Sequence, residues 1–276
     1  MHAPRTGIVV PASQEKRTRY NAAVLTFSLQ SGSNGNAIYV EANGAKLLFD
    51  AGISGRLAAE RMATHGRDIH DVDALILSHE HCDHVRGAGV YQRMFRLPVY
   101  MTRPTHRAIR QDLGRLTDVR YFQSGDTLPF DGVSVHTIQT RHDAADGVAF
   151  VVECGRKRLG ILTDLGHPFP GLRAVLRQVD AAYLESNYDP QMLETGGYPA
   201  HLKARIRGKG GHLSNEESAE TVKSCGRNRP GWVAVAHLSE HNNRVELAVG
   251  AQHKAVGHDY PVYVAPRYSS SGVYEV

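Results

Sequence analysis

The chain has 276 residues, 41% hydrophobic and 22% charged, with a formal net charge of +4, proportions that exclude a disordered or fibrous protein. No apolar run reaches the roughly 18 residues of a membrane helix, and the first twenty residues lack the apolar core of a signal peptide, so a cytoplasmic location without a membrane partner is expected. Cys82, Cys154 and Cys225 are widely spaced, which argues against a disulfide framework or thiolate zinc knuckle. The 16 histidines, against one Trp, point instead to metal.

Residues 1–22 show neither helical nor strand periodicity and read as a flexible leader; residues 23–276 read as one domain. The run AAVLTFSLQSGSNGNAIYVEANGAKLLFDAG predicts two or three antiparallel strands separated by Gly/Ser/Asn turns. A helix is expected over residues 57–64, a short buried strand over DALILS (73–78), and a helix near residues 86–95. The strand LPVYM follows, and then a helix opened by Pro104 and stopped at Gly114, with Arg107 and Arg110 on one face. The second half repeats the pattern: strands near VSVHTIQT, GVAFVVEC, KRLGILT, AAYLES and WVAVAH, and helices near residues 171–178, 215–224 and 244–256. Ser214 with Glu217, and Asn243 with Glu246, carry the cap-x-x-Glu spacing that opens a helix. Two β-rich halves with helices outside predict an α/β fold, a four-layer αββα sandwich.

The strongest chemical signal is SHEHCDHVRG, residues 78–87. In an extended segment side chains alternate, so His79, His81 and Asp83 can point one way while His84 follows at a helix entrance. Imidazole and carboxylate ligands without thiolates suit zinc first, and also manganese or iron. Further ligands should sit where strands end: His142 follows VSVHTIQT, Asp164 ends RLGILT and His237 ends WVAVA. His136, inside its strand, reads as structural, and His106, His167, His253 and His258 as surface or capping residues.

These residues resemble the metallo-β-lactamase superfamily, whose HxHxDH motif is matched by His79, His81, Asp83 and His84. The resemblance implies two divalent metal ions, with His79, His81 and His142 on one and Asp83, His84 and His237 on the other. Asp164 would bridge them, Asp50 in LLFDAG would brace the ligand loop, and a metal-bridging hydroxide would be the nucleophile. The ordered motifs SGSNGNAIYV, DAGIS, SHEHCDHVRG, RHDAADGVAF, TDLG, LESNYD, GHLSNEESA and HLSEHNN are similar to the WalJ/YycJ-type 5′ to 3′ DNA exonucleases. Related tRNase Z motifs place a proton-donating pair at Glu185 and His212, so that Asp83, Glu185 and His212 form the implied catalytic set. Where the subgroup has Glu-Ser-Asn-His-Asp, this chain has Tyr188, which is available to bond or stack with substrate. The β-CASP insertion is missing, with only 72 residues between Asp164 and His237.

Charge distribution adds a nucleic-acid signal. Eight arginines between Arg86 and Arg120 face only Asp112 and Asp118, leaving the rest of the chain close to neutral. Lys203, Arg205, Arg207 and Lys209 form a second run, expected as a flexible cationic loop that covers the cleft and contacts phosphates. Ser33 and Asn36 are further candidates for touching substrate, and the start of the helix after Ser214 offers free amides to an anion. The expected function is therefore a dinuclear phosphodiesterase acting on nucleic acid, DNA before RNA. The alternatives are a small-molecule hydrolase of a phosphodiester, thioester or lactam, and a non-catalytic, metal-stabilised nucleic-acid-binding protein.

Overall fold

Continuous apolar runs become strands here because a sheet covered on both faces buries every side chain of a strand. The computed structural model describes residues 23–276; the expected leader, residues 1–22, lies outside them. In chain order, β1 (Val24–Gln30), β2 (Ala37–Ala42), β3 (Ala45–Phe49), β4 (Ala74–Ile76), β5 (Val99–Thr102) and β6 (Val119–Phe122) build one sheet. A second is built by β7 (Thr127–Phe130), β8 (Val133–Gln139), β9 (Val148–Cys154), β10 (Lys157–Leu162), β11 (Ala181–Glu185), β12 (Trp232–Ala236) and β13 (Val262–Val264). The last strand, β14 (Tyr274–Glu275), returns to pair with β1. Each sheet is antiparallel through its early strands and parallel from β3 to β6 and from β10 to β13.

The inner faces meet in one apolar layer that includes Val40, Phe49, Ile76, Val135, Phe150 and Tyr183. Phe49 and Phe150 cross it at 5.0 Å between ring centroids. Outside the first sheet lie α1 (Gly55–Ala63), α2 (Cys82–Val85), α3 (Ala88–Phe95) and α4 (Arg103–Ala108), with Met62, Tyr91 and Phe95 packed on Leu48 and Leu75. Around the second lie α5 (Pro170–Leu176), α6 (Pro190–Thr195), α7 (Ala200–Arg207), α8 (Asn215–Ser224) and α9 (Val245–Val256). Leu172, Leu176 and Val222 cover Leu162, Leu184 and Val233 there. Each such side chain contributes about 1.5–3 kcal/mol on burial. This is the expected αββα sandwich, and no helix among the described residues is long and apolar enough to cross a membrane.

Three local expectations are corrected. The helix opened by Pro104 ends at Ala108 rather than Gly114, because the chain beyond it is held by α3 instead of by its own backbone. Gln92 accepts from Thr117 N and donates to Asp118 O, while Arg93 donates to Leu113 O. Asn243 does not cap α9: its amide donates to Ser186 O and Asn187 O, and the capping position is Arg244, with no side-chain cap bond. Residues 203–207 form part of α7, a helix without a buried residue, and not a loop.

Candidate metal centre

The ends of β3, β4, β8, β10, β11 and β12 deliver Asp50, His79, His142, Asp164, Glu185 and His237 to one edge of the sandwich. Three of these residues, Asp50 (φ 64°), Asp164 (φ 53°) and His237 (φ 55°), sit in the left-handed region. For a residue with a Cβ that conformation costs on the order of 1–3 kcal/mol and persists only where the surroundings enforce it. Here it turns the chain sharply off a strand and aims the side chain across the cleft.

The HxHxDH segment reaches the cleft by a strand-to-helix break, which corrects the simple alternation read from sequence. His79 and His81 are in extended chain, whereas Asp83 and His84 lie in the first turn of α2, which follows His81 directly. Asp50 holds this turn: Oδ1 accepts from Ser78 N at 2.8 Å, and Oδ2 from Ser78 Oγ at 3.0 Å and His84 Nδ1 at 2.8 Å. Gly52 packs so closely beneath it that a Cβ there would lie 1.7 Å from Asp83 O. Asn36, also buried, donates to Gly32 O and reaches Asp83 Oδ2 and His84 Nε2. Its amide is thus engaged by the ligand loop, while neighbouring Ser33 is exposed.

Two groups of donors result. His79 Nε2 and His142 Nε2 lie 3.1 and 3.2 Å from His81 Nδ1. His142 donates its other nitrogen to Gly211 O at 2.8 Å, and His79 Nδ1 lies 2.9 Å from Ser78 Oγ. In the second group His237 Nε2 and His84 Nε2 lie 3.3 and 3.4 Å from Asp83 Oδ2. Asp164 touches both: Oδ1 is 3.7 Å from His142 Nε2 and 3.6 Å from His237 Nε2, and Oδ2 is 3.2 Å from His84 Nε2. These residues recur as sets able to hold a metal ion.

The donor set fits divalent cations on its own chemistry. His79 Nε2 and His142 Nε2 each come within 3.2 Å of His81 Nδ1, and the three nitrogens lie within 4.8 Å of one another, a cluster of imidazole lone pairs that one cation can share. Asp164 is buried, and its Oδ2 accepts no hydrogen bond, an acceptor left for something other than protein. Burial opposes ionisation of Asp83 and Asp164, yet the histidines around them hold both carboxylates well below their ordinary range. Burial pushes His79 and His142 down, keeping their lone pairs free. Imidazole and carboxylate donors at this count suit zinc, manganese or iron.

Beside the metal ligands, Glu185 is fully buried and His212 is 18% exposed at its side chain. Glu185 Oε1 accepts from His212 Nδ1 at 2.6 Å and Oε2 from Leu165 N at 2.8 Å, so one carboxylate fixes both the imidazole and the chain next to Asp164. Burial lowers the affinity of His212 for a proton, but the Glu185 carboxylate, with Asp164 and Asp83 beyond it, outweighs this and the pKa of His212 is raised. With Nδ1 committed, Nε2 is the nitrogen left for a ligand.

The start of α8 is closed, against expectation. Ser214 and Glu217 form a reciprocal capping box, and Asn215 N donates to Tyr188 O. These bonds engage the amides of Ser214, Asn215 and Glu217, and the carboxylates of Glu216 and Glu217 in the first turn oppose a phosphate there. Tyr188 is also buried, its backbone bridging Ser214, and burial pushes its phenol up to about 12. It is therefore part of the packing and is not available to stack with substrate.

The second cationic run is largely paired. Arg205 Nε donates to Asp143 Oδ2 at 2.7 Å, Arg207 pairs with Glu194, and Lys203 Nζ donates to Glu194 O at 2.5 Å; Lys209 is exposed. Sequence reasoning missed Ser31, whose Oγ accepts from His237 N, and Asn187, whose Nδ2 lies 3.1 Å from His237 Nδ1 and donates to His237 O. Both stand in quoted motifs, SGSN and LESNYD, but only the fold brings them to His237.

Residues 31–237 match the sequence profile of the Metallo-beta-lactamase superfamily. The chain is similar to Exodeoxyribonuclease YycJ of Bacillus anthracis, at 35% identity over 222 residues covering 80% of this chain and 84% of that protein. It is also similar to Exodeoxyribonuclease WalJ of Streptococcus pneumoniae serotype 2, at 33% identity over 246 residues covering 85% and 91%. Its fold is like that of the metallo-beta-lactamase fold protein YhfI from Bacillus subtilis, with a TM-score of 0.72 at 16% identity over 93% of this chain and 100% of that one.

Proposed function

The chain belongs to the metallo-beta-lactamase superfamily and is a metal-dependent hydrolase; from that premise we propose that its substrate is DNA and that it acts as a 5′ to 3′ exonuclease. The observation that carries the reading is the Glu185–His212 pair beside the metal ligands, at 2.6 Å, with His212 Nδ1 only 3.6 Å from Asp164 Oδ1. Phosphodiester cleavage expels an alkoxide, a poor leaving group, for which a positioned proton donor is worth roughly 10²- to 10⁴-fold in rate.

In this reading His79, His81 and His142 would hold one divalent ion and Asp83, His84 and His237 the other, with Asp164 within reach of both donor groups. When bound, such a pair lowers the pKa of water toward neutrality and neutralises charge on the phosphoryl oxygens. Asp50 keeps His84 Nε2 turned inward by accepting from Nδ1, and Gly211 O does the same for His142. His212, held as an imidazolium by Glu185, delivers its Nε2 proton to the departing oxygen. The relatives named exodeoxyribonucleases support DNA as the substrate.

The test is digestion of 5′- and 3′-labelled DNA and RNA in added Zn²⁺ or Mn²⁺, with His81→Ala as control. Progressive release of nucleotides from the 5′ end of DNA by the wild type alone is expected. No cleavage of any nucleic acid under either metal would sink the nuclease reading, and hydrolysis of a small ester that is indifferent to salt would favour the small-molecule alternative.

A further inference from the structure

The eight arginines of residues 86–120 divide sharply in the fold. Arg86 donates to Gly52 O and Asn34 O, Arg93 to Leu113 O, and Arg120 pairs with Asp118 and Tyr100. Arg107 and Arg110 instead line a cavity of about 470 Å³ beside the metal ligand His81, with Glu80, Gln111 and Asp143. Among the described residues neither arginine makes an ion pair or a side-chain hydrogen bond. Asp143 is already matched by Arg205.

The neighbouring cavity, of about 530 Å³, opens on Arg103, Tyr121 and Asp146. The Arg103 guanidinium lies 4.1 Å over the Tyr121 ring, which is 40% exposed. His106 fixes that ring, with Nδ1 at 2.7 Å from the Tyr121 hydroxyl and the two rings 30° apart. Arg103, His106 and Arg107 all belong to α4, and α4 packs on the loop that carries His142 through Thr105 Oγ1 and Asp146 O at 3.5 Å. α4 and the residues that follow it therefore present the unpaired Arg107 and Arg110 next to the metal centre, and Arg103 of α4 adds a cation–aromatic platform farther along.

We propose that α4, the segment just after it and Tyr121 form the track for a single strand: Arg107 and Arg110 hold phosphates adjoining the scissile bond, and an unpaired base stacks on the Arg103–Tyr121 platform. This rests on the nucleic-acid reading above and names the surface that binds the strand. Cations alone would accept any polyanion, but a guanidinium stacked on a partly exposed tyrosine ring makes a planar surface on which an unpaired base can stack.

The experiment is fluorescence anisotropy on the metal-free full chain in EDTA, with a labelled single-stranded 20-mer and a blunt duplex of the same sequence. Tyr121→Ala is expected to weaken single-strand binding at least about fivefold, from stacking worth roughly 1 kcal/mol or more per base, and to leave duplex binding unchanged. Tyr121→Trp should restore it, and Tyr121→Leu should not. Arg107→Ala with Arg110→Ala should flatten the salt dependence of single-strand binding by about 1.4 in log–log slope, at about 0.7 per phosphate contact. Exposed Arg227, lining a separate cavity with Arg229 and Tyr260, serves as control, and Arg227→Ala should change neither quantity. Unchanged single-strand affinity in Tyr121→Ala, or an unchanged slope in the double variant, overturns the track. Altered binding without any cleavage by the wild type overturns the nuclease reading and leaves the track standing.

Discussion

The tripeptide His-Leu-Ser occurs twice, at 212–214 and 237–239, and the two copies do different work. His237 follows β12 in a left-handed conformation, is buried, and turns Nε2 toward Asp83. His212 follows α7, keeps an exposed edge, and gives Nδ1 to Glu185. Leu213 is buried under the second sheet, whereas Leu238 joins a small cluster with Val235 and Ala248. Ser214 caps α8, whereas Ser239 N donates to Asn187 O. Position separates the two rings: His237 Nε2 faces the Asp83 carboxylate among the other donors, whereas His212 has its Nδ1 on Glu185 and its Nε2 left beside them, where it can carry a proton.

That contrast can be broken by substitution, beginning with the largest effect. His237→Ala removes a ligand from the second group, so metal content measured by atomic absorption should fall from two ions per chain to one and DNA cleavage should drop to that of the chelator-treated protein. His212→Ala should retain two ions and lose roughly 10²- to 10⁴-fold in turnover; loss of a metal from this variant would place His212 among the ligands and erase the distinction.

Smaller substitutions sharpen it. Asn187→Ala acts through His237 alone, so metal affinity by competition with a chelator should weaken about 10- to 100-fold, while the same substitution should not alter affinity further in the His237→Ala background. Ser214→Ala should cost about 1 kcal/mol through loss of the helix cap, a fall in Tm of about 2–4 °C for a chain of this size. Ser239→Ala gives up two long bonds, from Asn242 N at 3.3 Å and Asn242 Nδ2 at 3.5 Å, and thermal melting should detect a smaller shift; equal shifts would mean that the two serines are interchangeable.

Cationic segments show the limit of reading charge along a chain. Residues 203–209 are an unbroken basic run, yet Arg205 and Arg207 are matched by Asp143 and Glu194 from distant positions. Residues 103–110 look no different in sequence, yet among the described residues Arg107 and Arg110 form no ion pair, although Glu80 and Asp143 line the same cavity. Coulomb pairing depends on distance in space, so a count of charges in a window cannot say which ones remain for a ligand.

The sequence by itself determined the layers and named the candidate metal donors. Apolar runs punctuated by Gly, Ser and Asn carry enough local information to specify strands, and HxHxDH, with single His or Asp residues at strand ends, names donors whatever their precise arrangement. Tertiary structure alone decided the rest. The break at α2 that aims Asp83, the left-handed turns at Asp50, Asp164 and His237, the closure of the α8 terminus by Tyr188 and Ser214, and the early end of α4 under Gln92 and Arg93 depend on contacts between residues far apart in the chain. Their cost or benefit exists only once two sheets are packed together, because a strained backbone and a buried polar group are tolerated only where distant neighbours hold the one and satisfy the other.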